Sequence, residues 1–411
     1  MSKRRSRRTF LKRLGGLSIA GLAGCNSRPE DPPTGTRTAT PTPTPTATAT
    51  GTPTESPTRT EAYFDRRPEK LRRVSELGSG ITGGIFTDVA VSGDSAIYAG
   101  VVSGNVAVVS FDSALEVEWV REFPELEPSE TYGTLPAVSV ASTTDGGLLL
   151  TAAARDTRDT FVCRRLDSVG DTEWGRSFEA DLLAGAKAVQ LADGSYSVAW
   201  AEVGANIRWT GIIAFDGPDA DMRWKTRYKT LSPTRFEPTP AGGCFVFGAG
   251  LRTGSWMAIL DSHGEEQWRF NRHDYVFGSP WRLGESYYLL GTDDGSLQVR
   301  QLAPDRSVRW THSYDVPDRA LVNWPVYDAI ADAGTVQFFL SGEEVFTTVR
   351  LDTEGEMLSQ RSYGIARNEK SVPTAVAEVS SSVMVSGLVN PEDFSPRFGE
   401  SRDGEGWVAV V

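Results

Sequence analysis

Residues 165–178 read RLDSVGDTEWGRSF. The segment returns, altered, as FDSALEVEWVREF at 111–123, LDSHGEEQWRFN at 260–271 and LDTEGEMLSQRSY at 351–363. Its Trp recurs at Trp119, Trp174, Trp224, Trp268 and Trp310, spaced 55, 50, 44 and 42 residues apart, and Ser359 takes the position 49 residues further on. An Asp or a substitute precedes each: Asp112, Asp167, Asp216, Asp261, Ala303 and Asp352. Periods of 40–50 residues signal propellers or arrays rather than a single-copy fold.

Each unit also begins alike. VSGDSAIYAG (91–100), TTDGGLLLTA (143–152), LADGSYSVAW (191–200), PAGGCFVFGA (240–249), RLGESYYLLG (282–291) and ADAGTVQFFL (331–340) are Gly-containing turns followed by β-branched and aromatic runs. Such turns between apolar runs predict hairpins, because the tight turn types need positive φ. The turn Gly lies 24–30 residues before the Trp position, which leaves room for two more strands. Each unit therefore reads as four strands: one before the Gly turn, one after it, an apolar run ending at Leu-Asp or Phe-Asp, and the strand that carries the Trp.

Repeated four-stranded meanders predict an all-β fold, a seven-bladed β-propeller of four-stranded antiparallel blades. Six complete units run from about Ile81 to Tyr363, and a seventh starts at Ser371 and ends with GWVAVV, one strand short. The missing strand is available at Lys70–Leu77, just ahead of the first unit. Closure by that strand removes the exposed edges of an open ring. Counts of six or eight blades stay compatible with unit limits that are loose by one strand.

The pattern of a Gly turn, an apolar run and L-D-x-x-G-x-x-x-W resembles the repeats of PQQ-like and WD40-like propellers, best at residues 143–178 and more loosely over about 80–410. That resemblance implies that Trp119, Trp174, Trp224, Trp268 and Trp310 dock each blade on its neighbour, with Asp-x-x-Gly making the turn before them. The physical reading agrees, since one indole per repeat buries a large apolar area. Ser359 departs from the pattern, which predicts a weaker contact at that junction. The same resemblance brings quinoprotein dehydrogenases into view. Their adjacent-Cys pair is missing here, so PQQ and calcium are not expected as cofactors.

Ahead of the repeats lie two segments of different character. Ser6-Arg7-Arg8-Thr9-Phe10-Leu11-Lys12 fits the twin-arginine export consensus, with Arg7 and Arg8 as its signal pair. A Gly-rich apolar stretch follows, too short to span a bilayer. Leu22-Ala23-Gly24-Cys25 resembles a lipobox, making Cys25 the expected lipidation site and residues 1–25 a signal peptide to set aside from the fold. Residues 26–62 are almost entirely Thr, Pro, Ala, Gly and Ser and predict a disordered, extended stalk. The domain is then 63–411. These features predict an exported protein held by lipid on the outer face of the cytoplasmic membrane.

Formal net charge is −12, and residues 1–24 hold seven basic and no acidic side chains. The remainder is more acidic still, which excludes nucleic acid as a partner, since binding it needs clustered Lys and Arg. Arg outnumbers Lys 35 to 7, an acidic, Lys-poor balance that resembles haloarchaeal proteins. Cys163 and Cys244 lie in apolar runs and read as buried thiols.

No spacing of catalytic type stands out. Gly78–Gly83 matches GxGxxG but leads into a strand, where a dinucleotide site needs a helix. His263, His273 and His312 lack metal-ligand spacing, so no metal is expected. Asp216, Asp219 and Asp221 read as an acidic turn rather than a calcium loop. Trp281 and Trp324 start first strands, outside the docking position, and mark a possible ligand face. The sequence thus points to a module that binds or scaffolds a surface protein or glycan. The alternative is a surface enzyme of the quinoprotein or glycan-active propeller type.

Overall fold

The turn chemistry of the repeat fixes where strands end. In the computed structural model, Asp167 Oδ1 accepts the backbone N–H groups of Val169 (3.0 Å) and Asp171 (2.8 Å). Asp112, Asp261 and Asp352 each accept the N–H groups two and four residues on in the same way. One carboxylate oxygen thus replaces two ladder bonds where the chain reverses, an Asx-type turn. Gly170, Gly264 and Gly355 follow with φ of +84°, +79° and +87°, the left-handed conformation that favours Gly. In blade five Ala303 stands at the Asp position, and Asp305 takes over by accepting from Ser307 N (3.0 Å) and Ser307 Oγ (2.6 Å).

The structure describes residues 68–411 except for connecting segments, the longest being 128–137, 273–280, 317–327 and 390–404. The described strands form seven antiparallel sheets in chain order. Blade one is Gly84–Ser92, Ser95–Val102, Asn105–Asp112 and Val117–Phe123. Blade two adds a short strand, Leu126–Glu127, beside Ser139–Ser142. Blades three to six keep the plain four-strand order, the first strand innermost and the Trp-bearing strand outermost. First strands of neighbouring blades adjoin one another around the axis.

Blade seven is completed from the other end of the domain. Lys70–Arg73 pairs antiparallel with Glu405–Val410, with Lys70 opposite Val410 and Arg73 opposite Trp407. The closing strand is shorter than the Lys70–Leu77 read from sequence. At Val74 the backbone turns into a 3-10 turn, Val74–Glu76, which buries Val74 between blades seven and one.

Seven apolar clusters result, one at each junction between blades. At the second junction Phe161 of blade two meets Trp200 of blade three at 5.6 Å between centroids, and Phe178 meets Phe215 at 5.3 Å. Strands are apolar on both faces because each sheet is covered on both sides. The core is therefore a ring of interfaces, and blade-to-blade contact supplies the burial.

The repeated Trp side chains sit at these interfaces. Trp224 Nε1 donates to Ser262 O of blade four (2.9 Å), and a Cβ added at Gly264 would lie 2.6 Å from its ring. Trp310 repeats this on blade six, donating to Thr353 O (3.0 Å) above Gly355. Trp119 lies against Gly170 of blade two. Trp174 packs edge-on against Tyr196 and Phe215 of blade three, and Trp268 belongs to the cluster between blades four and five.

At the Ser359 junction the aromatic comes from the facing blade. Trp407 stacks on Phe346 (5.6 Å), which stacks on Tyr363 (5.1 Å). At the closing junction Lys70 and Arg72 take the Trp's place, reaching Ala114 O (3.2 Å) and Glu116 (2.6 Å) on the turn of blade one.

Candidate functional site: the inner strands

First strands end at the Gly turn, so counting back from that turn fixes a common level around the axis. Asp88, Ser139, Lys187 and Arg235 of blades one to four occupy one level, opposite Ala99, Thr151, Ala199 and Phe247 of their second strands. Asp328 and Ala375 hold the same register in blades six and seven. Of the described side chains at this level, those of Asp88, Lys187 and Arg235 are ionisable.

Three of these residues meet. Lys187 Nζ donates to both oxygens of Asp88, at 3.2 and 3.0 Å. Ser139 Oγ donates to Asp88 Oδ2 at 2.5 Å, and the Val140 N–H donates to the same oxygen at 3.2 Å. The side chains of Asp88 and Lys187 are 13% and 22% exposed. Taking both charges out of water carries a desolvation cost, offset by close contact and these added hydrogen bonds. The pair spans from blade one to blade three across the first strand of blade two. Thr87 Oγ1 to Val138 O (2.6 Å) and Thr151 Oγ1 to Ala186 O (2.9 Å) tie the same three blades. Beside them Arg235 pairs with Glu237 at 2.5 Å.

The other perturbed groups belong to turns. Hydrogen bonds from Thr143 and Arg165 hold the Asp145 carboxyl down at about 2. Partial burial pushes Asp193 up, but hydrogen bonds from Ser195 and Arg223 outweigh it and hold the carboxyl at about 2. Burial pushes the Cys163 thiol up to about 12 and raises Cys244 as well, so both stay protonated and unreactive. Asp216 is held by Arg223 (2.5 Å), while Asp219 lies outside the described residues.

Trp281 opens the first strand of blade five, with its Cα opposite Tyr288. Trp324, His273, Cys25, Arg7 and Arg8 lie outside the described residues. His263 sits on the blade-four turn, donating its backbone N–H to Asp261, and His312 lies on the outer strand of blade five beside Trp310. Sequence reasoning did not find the Asp88–Lys187 pair. Its partners are 99 residues apart, and only the register of the ring brings them together.

No family model matches the chain, and no curated protein is significantly similar to it. Solved structures are similar in fold. The Dos1 propeller shares 14% identity over 79% of this chain and 82% of its own, at a TM-score of 0.49. The polysaccharide lyase Uly1 shares 8% over 81% and 91%, at 0.48, and the AfRom2 CNH domain 10% over 83% and 99%, at 0.47. At such identities the likeness is one of fold, and on its own sheet topology the chain is a seven-bladed β-propeller closed by its N-terminal strand.

Proposed function

We propose that the chain is an exported, lipid-anchored propeller that binds or scaffolds partners at the outer face of the membrane. The observation that supports the binding reading is the charged cluster at the inner strands, where Lys187 and Ser139 meet the Asp88 carboxylate across three blades. Among the described residues, the carboxyls with resolved shifts are all moved down, by turn N–H groups, hydroxyls and Arg partners. The two buried thiols are moved up. These shifts are the signature of groups that hold turns and blades in place.

The anchor reading rests on the Arg7-Arg8 pair and Cys25, with the Thr/Pro segment 26–62 as spacer. It is supported by the position of the closing strand. Only residues 63–69 separate Lys70–Arg73, built into blade seven, from that segment, so a tether on Cys25 would hold the ring through its seam. The acidic, Arg-rich composition supports a haloarchaeal setting, where hydrated carboxylates keep a protein soluble in strong salt.

Cys25→Ser tests the anchor. Nearly all of the protein should move from the membrane fraction to the medium. Retention of the variant on membranes would overturn the lipidation reading without touching the propeller.

A further inference from the structure

The outer strand of blade three, Met222–Lys229, reads MRWKTRYK. Alternate residues face opposite ways along a strand. Trp224 and Tyr228 face blade four, where Trp224 bonds Ser262 O and Tyr228 packs on Trp256 (5.9 Å). Lys225, Arg227 and Lys229 therefore occupy the positions on the side of blade two, while the bulge before Trp224 takes Arg223 out of the alternation and onto Asp193, Ser195 and Asp216. This chain has only 7 Lys and a net charge of −12, yet this strand holds four basic residues and no acidic one.

The fold does not require that row. The same positions hold Val120 and Glu122 in blade one and Gly175, Ser177 and Glu179 in blade two. In blades four to six the outer strands place at most one basic residue there.

The charges are also held in place. Lys225 Nζ lies 5.3 Å from the Trp200 ring centre, and Arg227 lies 4.6 Å from that of Trp209 while bonding the buried Glu202. From the facing wall, Arg176 of blade two lies over both Phe178 and Phe215, at 5.5 Å each. Cations from two blades thus line one groove, and Lys225 and Arg227 are exposed at its mouth.

We infer that the groove between the outer strands of blades two and three docks an acidic extended peptide segment of a partner protein. Basic side chains on alternate strand residues repeat every ~6.6–6.8 Å, the spacing of carboxylates on alternate residues of a second extended chain. The outer strand is the terminal strand of its sheet, so a peptide can also add main-chain hydrogen bonds along that edge. An acidic polysaccharide fits less well. Sugar rings stack on open aromatic faces, and Trp200 and Phe215 are buried here, beneath Lys225 and Arg176. The inference rests on the binding-module reading and names its partner class.

The test uses the purified whole chain and poly-glutamate as probe, titrated over a salt series, with a polyuronate as the second probe. The chain should bind poly-glutamate more tightly than polyuronate, with affinity falling as salt rises. K225E/K229E should weaken poly-glutamate binding at least about tenfold and flatten the salt dependence. Arg309→Glu, on the outer strand of blade five, should leave binding unchanged. Undetectable poly-glutamate binding, equal loss on Arg309→Glu, or tighter polyuronate binding would overturn the inference. Because the assay is run in solution, none of these outcomes bears on the anchor or on partners bound elsewhere on the ring.

Discussion

Removing residues up to Arg73 is expected to lower stability by about 4 kcal/mol relative to a chain that starts at Pro68. The closing strand contributes backbone hydrogen bonds to Glu405–Val410, including Glu69 N–H to Val410 O at 2.8 Å. Four such bonds at about 1 kcal/mol each set the scale. The Arg72–Glu116 pair adds little, since Glu116 is well exposed and Arg72 about a third exposed. The larger consequence is the edge left behind. Trp407, Val408 and Ala409 are buried in the closed ring, and without the closing strand their backbone becomes an open, apolar edge of the kind that pairs with other chains. The truncated protein should therefore unfold at lower urea and aggregate as it does so. An unchanged midpoint would show that blade seven is stable with three strands.

The second large effect concerns the junction between blades three and four. Trp224→Ala should cost about 3–4 kcal/mol, from lost burial and from the cavity left at the interface. Gly264→Ala should also destabilise. Its φ of +79° is strained for any residue with a Cβ, and the added carbon would meet the Trp224 ring at 2.6 Å. The two substitutions should not add. With the indole gone the Cβ has room, and only the backbone strain of the Ala remains. The double variant should fall short of the sum by about 1 kcal/mol or more. Additive costs in a urea-denaturation cycle would mean that ring and turn do not touch in solution.

The fold was legible because the repeat carries its own punctuation. Asp-x-x-Gly and the Gly turns mark strand ends through backbone rules that act locally, and the Trp recurs because every junction poses the same packing problem. The closing strand was legible by subtraction, from a seventh unit that lacked its fourth strand. Its length was not: nothing in KLRRVSEL separates strand from 3-10 turn until Val74 finds the cluster between blades seven and one. Ser359 was legible as a departure, but not its remedy, because Trp407 reaches the same junction from a third strand with no repeat register to announce it.

The inner-strand site was the least legible. Asp88, Ser139 and Lys187 look like ordinary polar residues in three different strands. Their meeting depends on how many residues separate each from its turn, a property of the ring rather than of any segment. The basic row of blade three is visible in MRWKTRYK, but its meaning comes from comparison with other outer strands and from knowing which side is covered by blade four.

The central claim is that the strand next to the stalk closes the ring by pairing with the C-terminal strand. Leu71 and Ala409 lie directly opposite each other in that pair, and opposed positions on antiparallel strands fall within the Cα separation a disulfide requires. In a chain that starts at Pro68, and so leaves out Cys25, the native Cys163 and Cys244 do not compete, since burial keeps their thiols protonated. In that chain, carrying Leu71→Cys and Ala409→Cys, mild oxidation of the folded protein should form an intramolecular disulfide. It would be seen as a shifted, reductant-sensitive band on a denaturing gel, together with a higher melting temperature. Folded protein that leaves both thiols free under the same oxidation would contradict the closure, and with it the account of how the ring is held together.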